Sequence, residues 1–234
     1  MPQEIRDAYD RWHRDTYVGQ VDLSPWYQAA GRWLPDLAGK AVLEIGCGHG
    51  DFALSLAQSK ARIVIAADFS SVAVAKARAK AIGVPAIQHL VCDIERLPLP
   101  DAVFDVVISC ETVEHVPRPR LAVEELSRVL RPSGRLILTT PNYMNLMGLY
   151  RAYLRMVGRK YSEVGQPLNN LTHLLRTRAW LRRAGLNVEH MSSSGHYIPV
   201  RGRWPVAVKW LDDWPKPIGW FGLHSTFVAK KVLS

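Results

Sequence analysis

Through the first 140 residues, short runs of β-branched and apolar residues alternate with segments whose apolar positions recur every three or four residues. The runs AVLEIG (41–46), RIVIAAD (62–68), IQHLVCD (87–93), FDVVISC (104–110) and RLILTT (135–140) are nearly continuously apolar. That is the pattern of strands buried on both faces of a parallel sheet. Between them, DFALSLAQS, SSVAVAKARAKAIG and PRLAVEELSRVLRPSG carry helical spacing, and the last two end in Gly or Pro-Ser-Gly, which stop helices. The alternation predicts a doubly wound α/β sheet, whose ligands bind at the carboxyl ends of the strands.

Beyond Asn142 the pattern changes. MNLMGLYRAYLRMVGRKY reads as an amphipathic helix with Arg151, Arg155 and Arg159 on one face. The loop SEVGQPLNNLTH follows, then a second helix at TRAWLRRAG. Two final strands, NVEHMSSSGHYI and HSTFVAKK, bracket a Pro- and Trp-rich segment that reads as an insertion rather than a domain. With 234 residues the chain suits one large domain with a sizeable core.

An apolar fraction of 48% and a charged fraction of 22% are those of a soluble globular chain. Arg or Lys interrupts every stretch that approaches the roughly 20 apolar residues of a membrane span. The opening MPQEIRDAYDRWHRD has no apolar signal core, and Cys47, Cys92 and Cys110 show no CxxC pairing. A cytoplasmic, reduced protein is expected. The net charge of +9 is unevenly held: residues 1–142 carry 16 Lys+Arg against 17 Asp+Glu, and residues 143–234 carry 14 against 4. This asymmetry points to an anionic partner for the C-terminal part, a nucleic acid or a membrane surface, although a solubilising face gives the same count.

The first strand runs into Glu44-Ile45-Gly46-Cys47-Gly48-His49-Gly50-Asp51, a turn that lets backbone approach a ligand closely. A dinucleotide fingerprint needs a third glycine where Asp51 stands, and Glu44 would repel pyrophosphate. A ligand with ribose, adenine and a cationic centre suits these residues better. Asp68 closes the second strand, where a carboxylate accepts both ribose hydroxyls, and Asp93 closes the third, where one accepts an adenine amino group.

In this order and spacing, VLEIGCGHGDF, AADFS, CDIERLPLPDAVFDVVIS and LRPSGRLILTTPN resemble the class I S-adenosylmethionine-dependent methyltransferases over nearly the whole chain. The resemblance implies a Rossmann-like seven-stranded, mostly parallel sheet with an antiparallel last strand. By it, Glu44, Gly46, Cys47 and Gly48 hold the methionine end of S-adenosylmethionine, Asp68 and Phe69 the ribose, and Asp93 and Ile94 the adenine, while Cys110 lines the sulfonium side. It also divides the chain into an N-terminal helical cap (1–40), a cofactor-binding half (41–142) and an acceptor-binding half (143–234). A cap helix bearing Tyr9, Trp12 and Tyr17 folds over the cofactor in this reading; ordinary packing on the sheet would look the same.

Residues 109–116, SCETVEHV, follow the fourth strand. Glu111, Glu114 and His115 stand at i, i+3 and i+4, so a helix would set all three on one face. They form an O/N set suited to Mg²⁺, Mn²⁺, Fe²⁺ or Zn²⁺, or else an ordinary acidic helix start before Pro117. Glu-x-x-Glu-His resembles the metal site of the ubiquinone-pathway O-methyltransferases and of the small-RNA 3′-terminal 2′-O-methyltransferases. That resemblance implies His173, in Leu171-Thr172-His173, as a fourth ligand. A chelated vicinal diol would have the pKa of its attacking hydroxyl lowered. Without metal, His115 is the general base, oriented by Glu111 or Glu114.

SSSGHYIPV resembles a Gly-x-His-Tyr-x-Pro of the ubiquinone-type enzymes, and LHSTFVAKK their last strand. This implies that Gly195, His196 and Tyr197 line the acceptor pocket, although ordinary strand ends would read alike. Trp204, Trp210, Trp214 and Trp220 interleave with Arg201, Arg203, Lys209 and Lys216. Membrane-interface surfaces, single-stranded RNA binders and aromatic lids share that composition. The expectation is an S-adenosylmethionine-dependent O-methyltransferase, metal-assisted, acting on a vicinal dihydroxy small molecule or lipid-linked acceptor: a catechol, quinol or sugar. It would be cytoplasmic with peripheral contact at the inner membrane face. The alternative is an RNA ribose 2′-O-methyltransferase.

Overall fold

The computed structural model describes residues 2–15, 24–158, 168–198, 206–208, 210–211 and 218–232. Tyr17, Arg159, Arg201, Arg203, Trp204, Lys209, Trp214 and Lys216 lie outside them, as do the side chains of Arg155 and Tyr197.

The apolar runs form the expected sheet. Its strands are β1 (Ala41–Ile45), β2 (Ile63–Asp68), β3 (Ile87–Val91), β4 (Phe104–Cys110), β5 (Leu130–Pro141), β6 (Leu186–Ser194) and, after a separate ribbon of β7 (Tyr197–Ile198) and β8 (Val206–Ala207), β9 (His224–Lys231). The order is β3-β2-β1-β4-β5-β9-β6. Strands β1 to β5 pair in parallel, and β9 runs antiparallel to both β5 and β6. The helices are α1 (Gln3–Asp15), α2 (Pro25–Gly31), α3 (Asp51–Gln58), α4 (Ser71–Lys80), α5 (Pro119–Val129), α6 (Leu146–Met156) and α7 (Leu174–Arg183).

Period-two alternation explains why nearly every strand position is apolar. Leu43, Ile45, Val107, Leu136, Leu138 and Phe227 pack on one face with Val123, Leu126 and Leu181 of α5 and α7. Val42, Val64, Ala66, Val106, Ile108 and Ile137 pack on the other with Ala30, Phe52, Leu56 and Ala77 of α2, α3 and α4. Glu44 falls in the second set by parity, so a carboxylate is carried into an apolar layer. The connections reverse direction between β1 and β4, and such a switch point leaves a crevice at the strand ends.

Three boundaries differ from the expected ones. α5 stops at Val129 rather than at Pro-Ser-Gly, because Arg131 precedes Pro132 and is steered out of the helical region. β5 therefore starts at Leu130, and the pairing irregularity between Phe104 and Val106 sets residues 131–134 against Asp105 alone. The expected strand 187–198 is two strands, broken at Gly195, which takes φ +76°. Helix α2, with its Pro at the first turn, falls within the segment 1–40 expected to be helical.

Candidate functional site

A cavity of about 380 Å³ opens at the β1/β4 switch. Its floor is the glycine turn. Gly46 sits at φ +78°, and a Cβ there would stand 2.0 Å from Thr112 Oγ1, so only glycine lets the turn after β1 approach the turn after β4. Gly46 and Cys47 both donate backbone N–H bonds to Ala67 O. Asp68 is buried at the end of β2, where it accepts the Gly48 N–H at 3.0 Å and the Ser70 N–H at 2.9 Å. Burial nonetheless raises its pKa against those bonds.

Helix α1 forms one wall and is fastened at several points. The Asp10 carboxylate accepts from the Ser70 and Ser71 hydroxyls, and Lys76 Nζ donates to His13 O. His13 Nδ1 meets His49 Nε2 at 3.2 Å. Tyr9 packs edge-on against Phe69 at 4.9 Å and donates its hydroxyl to Leu168 O. Helix α2 supplies the facing wall: Tyr27 stacks on Phe52 at 4.8 Å, and Trp26 lies 5.7 Å from the His224 ring.

The polar end of the cavity is the turn after β4. Glu111 leaves the strand at φ +47°, strained for a residue with a side chain, and a short 3-10 turn follows at Val113–His115. Glu114 is fully buried, taking the Thr140 hydroxyl on Oε2 at 3.2 Å. His115 Nδ1 lies 2.7 Å from Leu168 O, and its Nε2 lies 3.4 Å from Glu114 Oε1. Glu111 Oε2 meets His224 Nδ1 at 3.3 Å, and Glu111 Oε1 is buried without a hydrogen-bond partner.

Comparison with known proteins decides the family. A family model described as a methyltransferase domain matches residues 43–138. A demethylmenaquinone methyltransferase of Clavibacter sepedonicus is 30% identical over 215 residues, covering 86% of each chain. A ubiquinone biosynthesis O-methyltransferase of Xylella fastidiosa is 32% identical over 229 residues, covering 85% of this chain and 90% of its own. The chain belongs to the S-adenosylmethionine-dependent methyltransferases. In fold it is similar to a chain in the complex of the Haloferax volcanii Trm112 methyltransferase activator with a methyltransferase, at TM-score 0.69 and 22% identity over 98% of both chains.

The methyltransferase's residues fit the cofactor. Both carboxylate oxygens of Glu44 are buried without a hydrogen-bond partner, beside the glycine turn. Burial first, then Asp68 and Asp51, push its pKa well above the usual carboxylate range. A cationic ammonium suits that position, and an apolar ligand does not. Of the residues expected around the cofactor, Gly46, Gly48, Asp68, Phe69, Ile94 and Cys110 line the cavity. Glu44, Cys47 and Asp93 stand behind that lining; Asp93 Oδ1 accepts the Glu95 N–H at 2.9 Å, and the Cys47 thiol is buried. Burial raises the pKa of all three cysteines, Cys92 to about 12, so each is a neutral thiol at pH 7.

The expected metal ligands are not gathered. A helix would have aligned Glu111, Glu114 and His115 on one face, but Glu111 is left-handed and only a 3-10 turn follows it. His173 caps α7 instead, its Nδ1 accepting the Arg176 N–H at 3.3 Å. Among the described residues no three His, Cys, Asp or Glu side chains form a metal-holding group. This donor set does not fit a divalent ion. Glu111, Glu114 and His115 do line the cavity, whereas His196, whose carbonyl accepts from Val208, is not among its lining residues; the side chain of Tyr197 lies outside the described residues.

Sequence reasoning missed Trp26, Tyr27, His13, Thr112, Leu223 and His224 as lining residues. Trp26 and Tyr27 carry a signal in hindsight, two aromatic residues directly after Ser-Pro, a helix start. His224 carries none, since it opens a strand 113 residues after the glutamate it meets.

Proposed function

We propose that this methyltransferase transfers the methyl group to a hydroxyl oxygen of a flat, dihydroxylated ring, a catechol or quinol. The observation that carries the reading is the composition of the cavity: aromatic walls of Tyr9, Trp12, Trp26, Tyr27 and Phe69, with Glu111, His115 and His224 at one end. Aromatic rings sandwich a planar acceptor, and the polar end orients its hydroxyls. The similarity to the Xylella fastidiosa ubiquinone biosynthesis O-methyltransferase supports the same acceptor class. Because the donor set does not fit a metal, the reading includes no chelation step. Glu44, Gly46 and Gly48 are assigned to the methionine end of the cofactor, Asp68 and Phe69 to the ribose, Ile94 and Asp93 to the adenine side, and Cys110 to the sulfonium side.

The acceptor is further proposed to be lipid-linked and met at an anionic membrane surface. Leu149, Tyr153 and Met156 of α6 are 69%, 54% and 80% exposed, on the half of the chain that holds the positive excess. No helix among the described residues is long and apolar enough to cross a membrane.

The test is methyl transfer from isotopically labelled S-adenosylmethionine to 3,4-dihydroxybenzoate and a short-chain ubiquinol precursor, with the product located by mass spectrometry. Label on a ring oxygen is expected. Label on carbon, or no transfer to any catechol or quinol, overturns the reading.

A further inference from the structure

We infer that residues 168–170 form a strap that makes binding of cofactor and acceptor cooperative, by tying the wall helix α1 to the turn that carries Glu114 and His115. The strap deepens the reading above, in which both ligands share one cavity. Its first link is a single carbonyl. Leu168 O accepts the Tyr9 hydroxyl at 3.1 Å and lies 2.7 Å from His115 Nδ1. A carbonyl has two lone pairs and only accepts, so both hydrogens point at it and the two side chains are oriented together.

The second link is Asn170. In the run Glu114-His115-Val116-Pro117-Arg118-Pro119 neither proline has an N–H, so the Glu114 and Val116 carbonyls receive no bond from the residue three places on. Asn170 supplies the missing donors. Its backbone N–H donates to Glu114 O at 2.8 Å, and its Nδ2 donates to Glu114 O at 2.9 Å and Val116 O at 2.7 Å. Only the amide nitrogen can serve two carbonyls, which fixes how the side chain is turned. Asn170 is not among the lining residues of the cavity, so it is a positioning residue. Just beyond it, Thr172 anchors the strap to the end of β5: its hydroxyl donates to Pro141 O at 2.6 Å, and its carbonyl accepts the Tyr143 N–H at 3.1 Å.

Tyr9, at the opposite end, belongs to the cofactor side. Its ring packs edge-on against Phe69 at 4.9 Å, and the neighbouring Asp10 accepts from the Ser70 and Ser71 hydroxyls. Tyr9 and His13 are the buried residues of α1, so little apolar burial holds this helix down. A cofactor seated against Phe69 and Tyr9 favours the docked helix. The docked helix holds Leu168 O, and that carbonyl holds the turn on which the acceptor rests. Because linkage is reciprocal, the acceptor tightens the cofactor by the same factor.

The experiment measures this coupling on the full chain, by calorimetry of 3,4-dihydroxybenzoate with and without S-adenosylhomocysteine. In the wild type S-adenosylhomocysteine should tighten the catechol about tenfold or more. Tyr9→Phe keeps the ring and deletes one hydroxyl, and should cut that coupling about three- to tenfold, the worth of one neutral hydrogen bond. Asn170→Ala should cut it at least as far, and the double variant should lose no more than Asn170→Ala alone, because both act through one strap. Tyr9→Phe carries the test by itself if Asn170→Ala does not fold. Additive losses, full coupling in Tyr9→Phe, or no coupling in the wild type overturn the inference. If no catechol binds in either state, the acceptor reading fails instead, and hydrogen exchange decides the strap. S-adenosylhomocysteine should protect the backbone amides of residues 113–116 in the wild type, and equal protection in Tyr9→Phe overturns the coupling.

Discussion

Glu44 is a residue costly to the fold at the position where the proposed cofactor site needs a carboxylate. Its period-two position drives a carboxylate into the apolar layer between β1 and the α2–α3 side, where neither oxygen is hydrogen-bonded. Its pKa in the folded chain lies above that of the unfolded chain, so the folded state holds its proton more tightly. Stability from this group therefore falls as pH rises from the ordinary carboxylate value toward the raised one, and stays reduced above it. Glu44→Met should stabilise the empty protein at pH 7 by on the order of 1–3 kcal/mol. The same change should weaken S-adenosylmethionine at least about tenfold. Denaturant titration and calorimetry check both halves; loss of stability, or unchanged affinity, would remove Glu44 from the site. Glu44 was legible in sequence because its peculiarity is local: an acidic residue inside an apolar run, next to glycines. His224 was not, because its meaning comes from a partner on a different strand.

At the scale of elements, strand and helix identities followed from periodicity, while two junctions did not. The stretch after β4 has helical i, i+3, i+4 spacing, yet Glu111 adopts a left-handed φ and only a 3-10 turn forms. Spacing cannot report this, since the turn is set by Thr139 and by the close approach of Gly46 to Thr112. Helix α1 is the other case: its aromatic residues suggested a cap, but its latch is the contact of His13 with His49. Burial first, then neighbouring charge (Lys76 for both, Lys80 also for His49), lowers both imidazoles to about 4, against the opposing pull of Asp10 and Asp51. An unfolded histidine titrates near 6.5, so between that pH and about 4 the unfolded or undocked chain binds more protons. The latch is complete above pH 6.5 and is lost as pH falls through about 4. Cofactor affinity, followed by calorimetry from pH 7 to 4, should decline across that window in the wild type. His13→Phe should flatten the decline, and an unchanged slope would show that the pair does not control docking. A different tie holds the loop after β3 to α5. Arg128 donates to Glu125, Asp101, Leu97 O and Leu99 O. Arg128→Ala should cost about 2–3 kcal/mol in a denaturant titration, as expected for several charge-assisted bonds lost together.

For the whole molecule, the sequence showed where the charge lies but not which surface it frames. The positive excess falls beyond residue 142, as counted. Of the arginines read as one basic face, Arg151 is buried, its guanidinium stacked 4.1 Å over the Tyr143 ring. Exposed positions of α6 include Leu146, Leu149, Tyr150, Tyr153 and Met156, while exposed arginines such as Arg176 and Arg182 lie on α7. Cation–π stacking takes Arg151 off the exposed face that spacing alone assigns it, because this arginine finds an aromatic partner from outside its own helix. Exposed apolar side chains in the half of the chain that carries the positive excess suit the proposed contact with an anionic bilayer, in which each buried Leu or Met contributes roughly 1.5–3 kcal/mol and each nearby Lys or Arg about 1 kcal/mol. The protein should therefore float with phosphatidylglycerol vesicles and less with phosphatidylcholine vesicles, and added salt should weaken binding without abolishing it. Leu149→Glu with Met156→Glu should reduce vesicle binding on the order of 10²-fold, given the two burial contributions lost. Turnover of soluble 3,4-dihydroxybenzoate should be unaffected, because neither residue lines the cavity. Vesicle binding that survives the double variant would move the contact elsewhere. Binding to single-stranded RNA that falls steeply with log salt, with no flotation, would replace the membrane by a nucleic acid.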